Sequence, residues 1–320
     1  MRIDIELTEA DQQRALRADA RTGLTADPKW LPPKWFYDKY GSELFERITT
    51  LPEYYPTRAE RAALTAYAAD IAAVTQARTL VELGSGSSEK TRLLLDALRR
   101  QGSLRRFVPL DVSESALRDA ATALHRDYPG LTVHGIVGDF TRHLDRVPSG
   151  DGRLVAFLGG TIGNLVPAER AEFLAGLRDV LRPGEWLLLG TDLVKDPATL
   201  VAAYDDAEGV TAEFNRNVLY VLNRQLGADF DPAAFRHVAH WDTEREWIEM
   251  RLRAERDMTV HLADLDLVVP FAAGEELRTE VSAKFHRPGV TAELAAAGFD
   301  LTHWWTDPQG RFAISLSRSR

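Results

Sequence analysis

The sequence predicts an α/β protein: a mostly parallel sheet with helices on both faces, interrupted by a second segment of α+β character. Three observations predict it. Residues 80–92, "LVELGSGSSEKTR", read as a buried strand, a glycine turn and the first turn of a helix. Apolar runs then alternate with helical patterns as far as Val194. The alternation stops over about 195–283 and resumes after it.

Each element has its own signal. Residues 62–74 carry apolar positions at helical spacing, and "RTLVELGSG" follows as a strand. "SEKTRLLLDALRRQG" is a helix stopped by Gly102. "RRFVPLDVS" is the second strand, and "SESALRDAATALHRDYPG" a helix opened by serines. "LTVHGIVGDF" and "RLVAFLGGTIGN" are the third and fourth strands. "PAERAEFLAGLRDVLRPG" is a helix with proline at its front and Pro-Gly behind, before the strand "EWLLLGTDLV". Within the interruption, "WIEMRLRAERDMTVHLADLDLVV" alternates like antiparallel strands. The helix "VTAELAAAGF", the segment "DLTHWWTD", the turn "PQGR" and the strand "FAISLS" close the chain. A terminal hairpin on a parallel sheet is the arrangement of class I methyltransferases, which have a Rossmann-like sheet of seven strands. The expected core is 59–194 plus 284–320, with 1–58 and 195–283 forming a second, substrate-binding domain.

Composition narrows the function. At 320 residues the chain exceeds the usual single-domain size. With 45% hydrophobic and 27% charged residues it has the balance of an ordinary globular protein. The net charge of −9 and the lack of a basic run disfavour a nucleic-acid partner. No cysteine is present, which excludes disulfides, thiolate metal sites and Cys nucleophiles. The start, "MRIDIELTEADQQRALRAD", lacks the apolar core of a signal peptide, and no apolar run reaches membrane-spanning length. A cytoplasmic monomer with no membrane partner is expected. The pair His237 and His240 in "HVAH" has no third ligand nearby in sequence, so no metal is expected.

The glycine turn points to one ligand. A dinucleotide fingerprint wants G-x-G-x-x-G, and Gly84 and Gly86 fit it, but the third place holds Glu89. A glutamate there would crowd the turn and face phosphate charge. S-adenosylmethionine has no phosphate, and the acidic Glu82 suits its amino group and sulfonium. Lys90 is placed to offer its ammonium to the methionine carboxylate, helped by the helix N-terminus. Asp111 ends the second strand, where a carboxylate can accept the ribose hydroxyls. Asp139 and Phe140 follow the third, suited to the adenine amino group and the ring face. Carboxyl ends of adjacent strands are where open α/β sheets bind ligands. A nicotinamide-dependent oxidoreductase is the alternative that Glu89 argues against, and an S-adenosylmethionine-binding protein without activity is a second one.

Longer strings carry a family resemblance. "PPKWFYDKYGSELFERITTLPEYYPTR", residues 32–58, closely resembles the N-terminal signature of the histidine-specific Nα-methyltransferases, which form hercynine in ergothioneine biosynthesis. The resemblance continues through "FLGGTIGNL", "LLLGTDLVKD", "AYDDAEGVTAEFNRN" and "EVSAKF". It implies three successive methyl transfers from S-adenosylmethionine to the α-amine of L-histidine. The runner-up substrate is another amino acid such as tryptophan. It implies roles as well: Asn164, Tyr37 and Tyr54 as catalytic candidates, Asn164 holding the substrate amine and carboxylate and Tyr54 lying in the histidine pocket. Tyr204 would grip the carboxylate, Glu280 and Ser282 the imidazole, and Phe45 and Met250 would line the pocket with Tyr37. Without the resemblance, the aromatic residues at helical spacing would read as core and Asn164 as a turn residue.

Overall fold

The computed structural model describes residues 1–86, 88–150 and 152–320. The chain divides into two compact units. Met1–Thr8, Pro56–Leu193 and Phe285–Arg320 form the first; Glu9–Tyr55 and Val194–Lys284 form the second. In chain order the strands are β1 (Arg2–Ile5), β2 (Thr79–Leu83), β3 (Arg106–Asp111), β4 (Thr132–Val137), β5 (Arg153–Phe157) and β6 (Trp186–Asp192). There follow β7 (Phe235–Asp242), β8 (Trp247–Ala254), β9 (Met258–Leu262), β10 (Leu267–Phe271) and β11 (Glu276–Ala283), then β12 (Phe299–Thr306) and β13 (Phe312–Ser319).

The first unit holds an eight-stranded sheet in the order β1-β4-β3-β2-β5-β6-β13-β12. Strands β1 to β6 pair in parallel, and the β12–β13 hairpin adds antiparallel to β6. Every residue of β2 and β5 is buried. This explains their unbroken apolar reading: helices cover both faces of a parallel sheet, so no position alternates toward water. The β2 side chains sit in register between two neighbours, Val81 opposite Val108 on one side and Val155 on the other. The order reverses between β2 and β5. At such a switch point the connections diverge and leave a crevice beyond the strands' carboxyl ends.

Two expectations need correction. The sheet has eight strands, not seven, because β1 pairs in parallel with β4, Arg2 opposite His134 through Ile5 opposite Val137. For the same reason residues 1–8 fall in the first unit, although the sequence reading put all of 1–58 in the second domain. A four-residue edge strand has too little pattern to be seen, and backbone pairing with β4 decides its place. His134 and Asp4, whose side chains meet at 2.8 Å, add to that pairing.

The second unit carries a three-stranded antiparallel sheet, β11-β8-β7, and the β9–β10 hairpin. Helices Glu9–Leu24, Lys39–Thr50, Pro197–Tyr204 and Val210–Leu226 accompany them. Strand β8 reads "WIEMRLRA", with its first four residues buried and burial alternating after them. Asp38 caps the second of these helices through the Gly41 N–H at 2.8 Å.

Candidate active site

In the first unit the turn after β2 is built on left-handed backbone. Gly84 (φ 68°) and Gly86 (φ 48°) adopt it without strain, whereas Ser88 (φ 53°) adopts it at the steric cost that a side chain brings there. Asp111, at the end of β3, ties this turn down: its carboxylate accepts the Gly86 N–H at 2.8 Å and the Ser113 N–H at 2.9 Å. Burial raises the Asp111 pKa, while those backbone donors pull it down. Phe140 covers the turn, with its ring 4.0 Å from where a Cβ on Gly84 would stand. Phe157 and Phe173 pack against it with centroids at 4.9 and 5.7 Å. Asp139 lies two residues past β4 and accepts the Thr141 N–H at 2.8 Å and its hydroxyl at 2.6 Å.

Glu82 is buried at the end of β2, accepting the Ser88 hydroxyl at 3.1 Å and the Thr91 hydroxyl. Burial pushes its pKa up to about 8, and the two hydroxyls oppose the shift. Lys90 precedes the helix Thr91–Arg100 and pairs with Glu60, a side chain with no solvent exposure. The other Glu60 oxygen accepts the Gly159 N–H at 2.7 Å. Gly159 and Gly160, both left-handed, lead into the short turn Thr161–Asn164 that presents Asn164. The structure thus brings Gly84, Gly86, Lys90, Asp111 and Phe140 around the crevice, with Asp139 beside Phe140. The Asn164 turn stands across the switch point after β5. An open cleft of about 270 Å³ lined by Arg78, Arg105 and Arg106 lies at the opposite, amino-terminal ends of the strands.

In the second unit the aromatic residues converge on Phe214. Its ring lies 4.7 Å from Phe36, 5.5 Å from Tyr37 and 5.9 Å from Phe45. Tyr54 continues the series, 6.2 Å from Phe45 and 6.2 Å from Tyr204. The Tyr204 hydroxyl meets the Ser282 hydroxyl at 2.7 Å, and Lys284 donates to both, at 2.9 and 2.8 Å. Glu280 stands two residues before Ser282 on β11, so the two share a face. It lies directly opposite Met250 on β8, a pairing that places both side chains on one side of the sheet. Tyr37, Phe45, Tyr54, Tyr204 and Ser282 therefore form one continuous cluster, with Glu280 on the strand that carries Ser282 and Met250 opposite it on β8.

His237 accounts for itself structurally. Its Nε2–H donates to the Tyr204 carbonyl at 2.8 Å, which leaves Nδ1 to accept from Asn215 at 2.8 Å. Burial lowers its pKa, in keeping with this neutral form. Among the described residues, no group of three or more His, Asp or Glu could hold a metal ion. No helix among them is long and apolar enough to cross a membrane.

The sequence reading missed Glu60, Phe214 and Lys284. Phe214 and Lys284 stand in "AYDDAEGVTAEFNRN" and "EVSAKF", so the strings contained them while the spacing gave them no role. Glu60 pairs with groups 30 and 99 residues away, and no local pattern signals such a contact.

A parallel sheet that reverses its order beside a glycine turn, with strand-end carboxylates and no third glycine, defines the class of S-adenosylmethionine-dependent methyltransferases. The chain belongs to the family of histidine-specific, S-adenosylmethionine-dependent methyltransferases, whose model matches residues 16–319. It is 61% identical over 303 residues to the histidine N-alpha-methyltransferase of Mycolicibacterium smegmatis, covering 95% of this chain and 94% of that one. It is 58% identical over 319 residues to the histidine N-alpha-methyltransferase of Mycobacterium tuberculosis, covering 99% of each. Ergothioneine biosynthesis protein 1 of Neurospora crassa is 36% identical over 205 residues, which are 62% of this chain and 23% of that protein.

Proposed function

We propose that this enzyme transfers three methyl groups in succession from S-adenosylmethionine to the α-amino group of L-histidine, giving hercynine for ergothioneine biosynthesis. The observation that carries this reading is the near-full-length match to two relatives named for histidine N-alpha-methylation.

In each step the amine lone pair attacks the sulfonium methyl. An N–C bond forms as the C–S bond breaks, and the electron pair of the broken bond stays on sulfur, leaving S-adenosylhomocysteine. The positive charge moves from sulfur to nitrogen and is dispersed in the transition state, so positioning matters more than charge neutralisation. An α-amine has a pKa of about 8 in peptides and a higher one in a free amino acid, so a minor but readily replenished fraction of the substrate has lost its proton to solvent near neutral pH and carries the lone pair. Asn164, Tyr37 and Tyr54 are assigned to steering that nitrogen rather than to acting as a strong base. After the third transfer nitrogen is quaternary and reaction stops.

Gly84, Gly86, Lys90, Asp111, Asp139 and Phe140 are assigned to the methyl donor. Tyr204 is assigned to the histidine carboxylate, Glu280 and Ser282 to the imidazole, and Phe45 and Met250 to its walls. A ring N–H donated to Glu280 fixes the ring's orientation, and hydrogen-bond readout discriminates more strongly than apolar fit. The test is mass spectrometry after incubation with S-adenosylmethionine and each of the twenty amino acids. Histidine alone should gain three methyl groups; methylation of tryptophan instead, or of nothing, would overturn the assignment.

A further inference from the structure

We infer that Lys284 determines specificity for the substrate carboxylate, so that the second unit selects an α-amino acid over the corresponding amine. The inference rests on the reading of Tyr204 and Ser282 as histidine-binding residues. Lys284 immediately follows β11 and is 4% exposed. Its ammonium donates to both hydroxyl oxygens and stands 4.7 Å from the centroid of the Tyr204 ring. An ammonium only donates, so both oxygens must turn a lone pair toward it. The mutual bond of the two hydroxyls uses one O–H hydrogen, whichever residue supplies it. The other hydroxyl hydrogen points to an acceptor outside the trio.

Lys284 therefore makes a two-faced hydroxyl pair into a donor with a positive charge behind it. A carboxylate fits such a trio, because charge-assisted hydrogen bonds are the strong ones. The alternation of the strand extends the argument. Glu280 and Ser282 share one face of β11, and Lys284, just past the strand's end, reaches back to the Ser282 hydroxyl at 2.8 Å, so acid, hydroxyl and ammonium follow one another. That row is complementary to a molecule with a ring N–H donor at one end and a carboxylate at the other. A buried lysine whose partners include two hydroxyls and a ring face is costly for stability alone, since a packed apolar side chain would serve as well.

The test uses two truncated competitors of histidine methylation: imidazolepropionate, which keeps the carboxylate and lacks the amine, and histamine, which keeps the amine and lacks the carboxylate. Lys284→Met should raise the histidine KM roughly 30-fold and weaken imidazolepropionate by a similar factor. Histamine inhibition and the KM for S-adenosylmethionine should stay within about twofold, a split that general loosening of the fold would not produce. Lys284→Gln, which keeps a donor without the charge, should fall between, and it carries the test if the methionine variant does not fold. Equal weakening of both competitors, no weakening of either, or failure of imidazolepropionate to inhibit the unaltered enzyme would overturn the inference. Failure of the unaltered enzyme to methylate histidine would instead overturn the reading on which it rests.

Discussion

Lys90 and Glu60 are joined beside the switch point of the sheet, an ammonium against a carboxylate with no solvent exposure, and the same carboxylate fixes the Gly159 backbone at 2.7 Å. One side chain on the helix Pro56–Thr75 thus steadies both the lysine before the Thr91–Arg100 helix and the loop leading to Asn164. Gly190 makes room for it: a Cβ there would lie 2.3 Å from Glu60 Oε1. Glu60→Ala leaves a half-buried cation and a backbone N–H unpaired, and should cost about 3–5 kcal/mol, the range for breaking a buried pair. Gly190→Ala should cost about 1–3 kcal/mol by overpacking. Denaturant unfolding checks both, and a loss below about 1 kcal/mol for Glu60→Ala would show that the pair is not held in solution.

Glu82 gives the pH dependence a sign. Burial holds its pKa at about 8 in the folded chain, against the ordinary 4.5 of an exposed glutamate. Between those values the folded chain keeps a proton that the unfolded chain has released, so this group's contribution falls as pH rises from about 4.5 toward 8. Glu82→Gln removes the titration. In the ligand-free protein it should raise Tm at pH 8 relative to pH 5, measured against the unaltered chain by scanning calorimetry. A Tm difference independent of pH would contradict it.

Glu280→Ala should lower kcat/KM for histidine by the equivalent of about 2–4 kcal/mol of transition-state stabilisation, because the imidazole N–H proposed to donate to Glu280 loses its acceptor. The preference for histidine over tryptophan and tyrosine should shrink with it. An unchanged preference would place imidazole recognition elsewhere. Met250 lies directly opposite on β8 and is proposed as the neighbouring wall, so Met250→Ala should relax the preference for ring size, measured as kcat/KM for tryptophan, with less effect on histidine itself.

Phe214 is 2% exposed and central to four aromatic side chains of the second unit, counting Tyr54 through Phe45. Phe214→Ala should destabilise the protein by about 3–5 kcal/mol through the lost contacts and the cavity. It should also raise the histidine KM while leaving that for S-adenosylmethionine nearly unchanged. A variant with altered stability and an unaltered histidine KM would make Phe214 core and nothing more.

The legibility of the chain follows from how local each feature is. Strands β2 to β6 could be read because burial on both faces writes a continuous apolar run between glycine turns, as in "TLVEL" and "RLVAF". Gly84, Gly86 and Lys90 could be placed because turn chemistry is fixed within a few residues. Strand β1 escaped because "RIDI" is short and only its partner gives it a role. Glu60 and Lys284 escaped for a related reason: an isolated charged residue reads as solvated until the fold shows it buried. Residues such as Tyr204 and Glu280 came from family resemblance alone, since an aromatic near a helix end and an acid on an alternating strand have many commoner uses.

The position of β13 constrains the order in which the first unit can be made. It inserts between β6 and β12, with Leu188 opposite Leu316, yet it is the last strand in the chain. On the ribosome β6 must wait through the whole of residues 193–311 before its antiparallel neighbour emerges. Until then its backbone N–H and C=O groups on that side form an open edge, the kind that pairs with other chains. A nascent or truncated chain ending before Phe312 should therefore depend on a chaperone where the longer one does not.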